Sequence, residues 1–128
     1  MDAQALLGSE FELNTPLPKA EQLRFISFLK GPVPNDYLEF MKLFNGGEGP
    51  VGNESYLALF GLEELLDYND SLEHYSSSEY TVFASDRGNT IFAFDESGEV
   101  LEFDLIGLGP DEAVRRTGSF IEFLATLP

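Results

Sequence analysis

YTVFASDRGNTIFAFDESGEVLEFDL, residues 80–105, holds three runs of β-branched and aromatic side chains at 80–85, 90–95 and 99–105. The breaks between them, Asp86-Arg87-Gly88-Asn89 and Glu96-Ser97-Gly98, are turn-forming and short. Connectors of that length join only antiparallel neighbours, because a parallel crossover needs a dozen residues or more. The stretch therefore predicts a β-meander at the centre of the fold. In its last run Leu101, Phe103 and Leu105 alternate with Glu102 and Asp104. Side chains alternate faces along a strand, so this predicts a sheet with one face on the core and the other in water, the acids forming a surface.

Upstream the period changes from two to that of a helix. Residues 20–30 place Leu23, Ile26 and Leu29 at helical spacing, with Phe25 and Phe28 widening the stripe, and Gly31-Pro32 ends the segment. Pro34 suits the first turn of a second helix, where its missing N–H costs nothing, and Tyr37, Phe40, Met41 and Phe44 share one face. Gly46 is read as the residue that ends this helix. Residues 55–60 read as a short strand, and Leu62, Leu65 and Leu66 as a brief helix whose other face is Glu63, Glu64 and Asp67. At the far end Ser119-Phe120-Ile121-Glu122 is a capping box opening a last helix. The fold class is therefore α+β: a mainly antiparallel sheet with helices at both chain ends packed on one face. The chain of 128 residues suits a single domain, residues 1–128, and the Ser76-Ser77-Ser78 stretch alone reads as a flexible loop.

Composition excludes several function classes. No cysteine is present, which removes disulfides, thiolate metal sites and cysteine nucleophiles. The N-terminus lacks the basic and apolar regions of a secretory signal, and no apolar run approaches a membrane span, so the expected location is the cytoplasm. Acidic side chains number 23 against 7 basic, a formal net charge of -16. Nucleic acid and anionic membranes are made poor partners by that balance, whereas a basic protein is its natural complement.

The order of motifs resembles the SUKH superfamily, which includes bacterial immunity proteins against polymorphic toxins and fungal regulators of cell-wall assembly. Val33-Pro34-Asn35-Asp36-Tyr37-Leu38-Glu39-Phe40 is similar to the family's Leu-Pro-x-x-Tyr-x-x-Phe helix start, with valine in place of leucine. Asn45-Gly46-Gly47-Glu48-Gly49 resembles its Asn-Gly-Gly turn, and residues 57–60 with Leu62-Glu63-Glu64-Leu65 its strand and short helix. Residues 83–95 resemble its hairpin, with Arg87 and Asn89 where glycines are usual. Ser119-Phe120 and Phe123-Leu124 resemble its closing helix. The resemblance implies a protein-binding scaffold with no catalytic residue to transfer. Asn45, Gly46, Gly47 and Gly88 are read as turn residues with unusual dihedrals instead of ligand contacts.

Residue chemistry points the same way. His74 is the sole histidine, and no Gly-x-Ser-x-Gly elbow accompanies it. One histidine without cysteine makes a poor zinc site. Asp95-Glu96-Ser97-Gly98-Glu99 carries its glycine fourth, not sixth as a calcium loop requires, and Gly46-Gly47-Glu48-Gly49 lacks the lysine of a phosphate loop. No catalytic residue, cofactor or metal is therefore expected. The leading expectation is an immunity protein that occludes a cognate toxin, the natural type being a basic nuclease. The candidate interface is Glu63, Glu64, Asp67, Asp70 and Glu73 on and after the short helix, with Asp86, Arg87, Glu102 and Asp104 on the meander; for each, a solvated acidic face is the competing explanation. For Arg87 an internal ion pair serves equally well. The rival functions are a regulatory or scaffolding protein of the same superfamily without a toxin, and a carboxylate-dependent hydrolase or calcium binder.

Overall fold

A computed structural model describes residues 3–71, 80–104 and 115–128. The elements run α1 (Ala3–Leu7), β1 (Glu12–Leu13), α2 (Lys19–Ser27), α3 (Asn35–Leu43), β2 (Gly47–Val51), β3 (Ser55–Leu59) and α4 (Leu62–Ser71). After these come β4 (Thr81–Ser85), β5 (Thr90–Phe94), β6 (Val100–Asp104), β7 (Arg115–Thr117) and α5 (Phe120–Thr126). All seven strands form one sheet in sequence order, each antiparallel to the next. The predicted meander is its centre, β4–β5–β6.

One face of that centre packs helices. Phe83 and Phe94 stack with centroids 4.0 Å apart, and Tyr37 of α3 and Phe120 of α5 meet both rings edge-on. Phe123 of α5 adds contacts to Phe83 and Phe92. A register shift between Val82 and Ala84 places Phe83 among these rings. Edge-to-face geometry adds about 0.5–1.5 kcal/mol per pair beyond area burial, so the cluster fixes α3 and α5 on the sheet. Ser119 Oγ accepts from Glu122 N at 3.2 Å, the cap expected at the start of α5. Helix α1, from the other chain end, packs on α5.

Three expectations are corrected. First, neither face of β4 or β5 is wet: Val82, Ile91, Ala93, Leu101 and Phe103 on the opposite face are at most 1 % exposed. Glu102 and Asp104 pair with Phe92 and Thr90, so they project on the aromatic face, where they are half-buried one strand beyond the stacked rings. Secondly, the inward stripe is Gln22, Phe25 and Ile26 of α2 with Leu29 just past its end, leaving Leu23 58 % and the C-cap Phe28 54 % exposed. The cause is Gln22, whose amide donates to Leu17 O and Lys42 O and so must face inward. Thirdly, neither Asn45 nor Gly88 has an unusual dihedral; the left-handed residue of the β4–β5 turn is Arg87, at φ 64°.

The Asn-Gly-Gly segment has a tighter role than a helix stop. Helix α3 ends at Leu43, with Phe44 already extended. A Cβ on Gly46 would lie 2.3 Å from Leu59 O, and one on Gly47 2.3 Å from Glu12 O. Backbone therefore passes backbone here, seating β2 between β1 and β3.

Candidate functional site

Helix α4 begins where Asn45 caps it from a distance. The buried Asn45 side chain accepts from Leu62 N at 2.9 Å and donates to Glu63 Oε1 at 2.8 Å. The first turn then holds Glu63 and Glu64, where carboxylates are favoured by the free N–H groups of a helix start. Leu62 and Leu65 point into the core, so Glu63, Asp67 and Asp70 are exposed.

Across from this helix lies the turn between β4 and β5. Asp86 Oδ1 accepts from Gly88 N at 2.7 Å and Thr90 N at 3.2 Å, and Ser85 Oγ accepts from Arg87 N at 3.1 Å. Asp86 is thus committed to closing the turn. Arg87, in its left-handed conformation, reaches out of it over the Phe60 ring, 5.8 Å from the centroid. Its guanidinium donates through Nη2 to Glu48 Oε1 at 3.0 Å and through Nε to Glu48 Oε2 at 3.4 Å, while Nη2 also meets Glu64 Oε2 at 3.4 Å. One cation therefore ties β2, α4 and the β4–β5 turn together.

Tyr56 completes the group. It lies diagonally from Glu48 across the β2–β3 ladder and donates its hydroxyl to Glu48 Oε2 at 2.6 Å. The Tyr56 bond, then the Arg87 bond, hold the Glu48 carboxyl below its ordinary range. The same contact with Glu48 raises Arg87 and Tyr56 above theirs. Beside the network, Glu63, Glu64, Asp67 and Tyr68 line an open concavity. Among the described residues no three His, Cys, Asp or Glu side chains are placed to hold a metal ion.

Of the residues predicted from sequence, Glu64 and Arg87 are joined directly, Asp86 lies in the same turn, and Glu63, Asp67 and Asp70 share the helix. Glu102 and Asp104 belong to β6, beyond β5, and are not part of this group. Glu73 and His74, with Ser76-Ser77-Ser78, lie outside the described residues. Glu48 and Tyr56 escaped the sequence reading. Their signal is the β2–β3 pairing, which a Gly-Glu-Gly-Pro-Val stretch conceals.

No helix among the described residues is long and apolar enough to cross a membrane. The model of the SMI1 / KNR4 family (SUKH-1) matches residues 16–126. No curated protein sequence matches the chain.

Proposed function

The chain belongs to the SMI1 / KNR4 (SUKH-1) family, and from that premise we propose that it is an immunity protein that binds a cognate toxin and occludes it. The observation that carries this reading is the Arg87 network. Tyr56 and Arg87 stand exposed yet held in place by Glu48 and Glu64, ringed by acids on a chain of net charge -16. Tyrosine and arginine are enriched among residues that dominate binding energy, and side chains ordered beforehand lose less entropy on association. The surrounding field attracts a basic partner and repels acidic competitors. A basic nuclease cleft, built to receive phosphates, is the fitting target. Glu63, Glu64, Asp67, Asp70, Asp86 and Arg87 form the contact face, with Glu73 following Asp70 in sequence; Glu102 and Asp104, beyond β5, are left out of it. The protein acts in the cytoplasm, as a single domain and without cofactor or catalysis.

Co-expression with the toxic domain encoded beside its gene tests the reading. Rescue of growth and copurification are expected, with Tyr56→Ala weakening the complex at least about tenfold, a change of about 1.4 kcal/mol. Binding weakens as salt rises, and the triple change Glu63→Lys, Glu64→Lys, Asp67→Lys removes most of that dependence. If no such toxin is rescued while another cellular protein is held through the same face, the regulatory function replaces this one. Turnover of a small molecule by the isolated chain overturns both.

A further inference from the structure

Charge is unevenly spread over this molecule. Residues 19–43, spanning α2 and α3, hold four basic side chains (Lys19, Arg24, Lys30, Lys42) against three acidic (Glu21, Asp36, Glu39); the rest of the chain holds three basic against twenty acidic. The same segment supplies Leu23, Phe28 and Leu43, three of the four exposed large hydrophobic side chains among the described residues. Leu23 and Leu43 are 58 % and 65 % exposed, and the Gln22 Nε2 to Lys42 O bond of 3.1 Å joins the residues just before them. Exposed leucines from α2 and α3, both signs of charge and near neutrality thus coincide where these two helices meet.

We infer that this face is where two copies of the chain associate, as a weak two-fold dimer. A two-fold interface places one patch against itself, so the patch must be self-complementary. Elsewhere the surface is overwhelmingly acidic, and like charges meeting across such a contact oppose it. Around Leu23 and Leu43 the exposed Lys19, Arg24 and Lys42 alternate with Glu21 and Glu39, so a second copy finds apolar contact and opposite charge together. A basic toxin is not favoured here, and an acidic partner meets the repulsion of the whole chain.

Sedimentation velocity on the purified chain, from about 5 to about 500 μM, tests the inference in a range suited to weak contacts. A dimer is expected at the upper end, and it strengthens as salt rises from about 50 to about 300 mM, because screening removes the repulsion between two negative bodies. That salt response is opposite to the one expected for toxin binding. Leu23→Glu and Leu43→Glu, both at exposed positions, each abolish the dimer, while Glu63→Lys on α4 leaves it intact. A monomer at every concentration and salt, or a dimer indifferent to both leucine changes, overturns the inference. Loss of toxin binding in Leu23→Glu with no dimer in the parent chain also overturns it, and assigns the face to the partner.

Discussion

Arg87 shows how one residue can be structural and exposed at once. A non-glycine residue at φ 64° costs backbone energy, which is offset here by two carboxylates and the Phe60 face. Exposed ion pairs contribute at most about 1 kcal/mol each, so the network orients Arg87 more than it stabilises the fold. Glu48 carries the pH consequence. Its folded carboxyl titrates below the unfolded one, so its contribution is present above the unfolded pKa and is lost as pH falls through the folded value. In urea titrations across the acid range, Glu48→Gln therefore has a shallower loss of stability than the parent chain; an unchanged slope refutes the assignment. Tyr37 makes the opposite case. Its ring is fully buried among Phe83, Phe94 and Phe120, yet its hydroxyl has no hydrogen-bond partner among the described residues, and burial drives its ionisation far upward. Tyr37→Phe is expected to leave unfolding free energy unchanged or raise it by about 1 kcal/mol, since only an unpaired group is removed. A loss above that size means that the hydroxyl has a partner.

Among elements, the junction of α4 with the sheet is the least regular. Strands β3 and β4 pair at only Ala58–Ser85 and Leu59–Ala84 before the chain leaves for α4. Beyond that point Asn69 takes the place of a strand: its Nδ2 donates to Val82 O at 2.8 Å and its Oδ1 accepts from Val82 N at 2.9 Å. A third bond, to Leu65 O at 2.7 Å, fixes the amide on the helix. Asn69→Ala leaves the fully buried Val82 backbone unpaired, an expected cost of about 2–3 kcal/mol in urea unfolding, with faster hydrogen exchange at Val82. Asp67→Ala, on the exposed side of the same helix, is expected to stay within about 0.5 kcal/mol. Nothing in the sequence marks Asn69, because its partner lies on another element. The same limit explains which elements were legible. Strands β4 to β6 announce themselves by aromatic and β-branched runs between short turns, and α3 and α5 by period and capping. Strand β2 is hidden because close backbone passage at Gly47 demands residues of poor strand propensity. In α2 the hydrophobic period alone misplaces the buried stripe, since one glutamine with two carbonyls to satisfy outweighs the burial of Leu23. Within the site, α4 and Arg87 were readable as charges, but the pairing that gathers Glu48 and Tyr56 around them needed the register of β2 on β3.

For the whole molecule the controlling quantity is the excess of negative charge. With 23 acidic side chains and few cations to pair with them, folding brings like charges closer than they are in the extended chain, and this repulsion opposes the compact state. Local attractions include Arg87 with Glu48 and Glu64, and Lys42 with Glu39 at 3.5 Å. All are exposed, so salt removes little stability by screening them and much destabilisation by screening the rest. The melting temperature is therefore expected to rise by several degrees as sodium chloride goes from about 20 to about 300 mM, while the Debye length shrinks from about 20 Å to under 10 Å. Differential scanning calorimetry checks this, and a melting temperature that falls with salt means that the ion pairs outweigh the repulsion. A basic partner acts on the same quantity by different means, since it neutralises the acids only where it binds. The complex with such a partner should melt well above the free chain at low salt, and the two melting temperatures should converge as salt rises, the free chain gaining while the complex loses its attraction. If both rise in parallel, the partner is held by apolar contact and the acidic face contributes nothing to its capture.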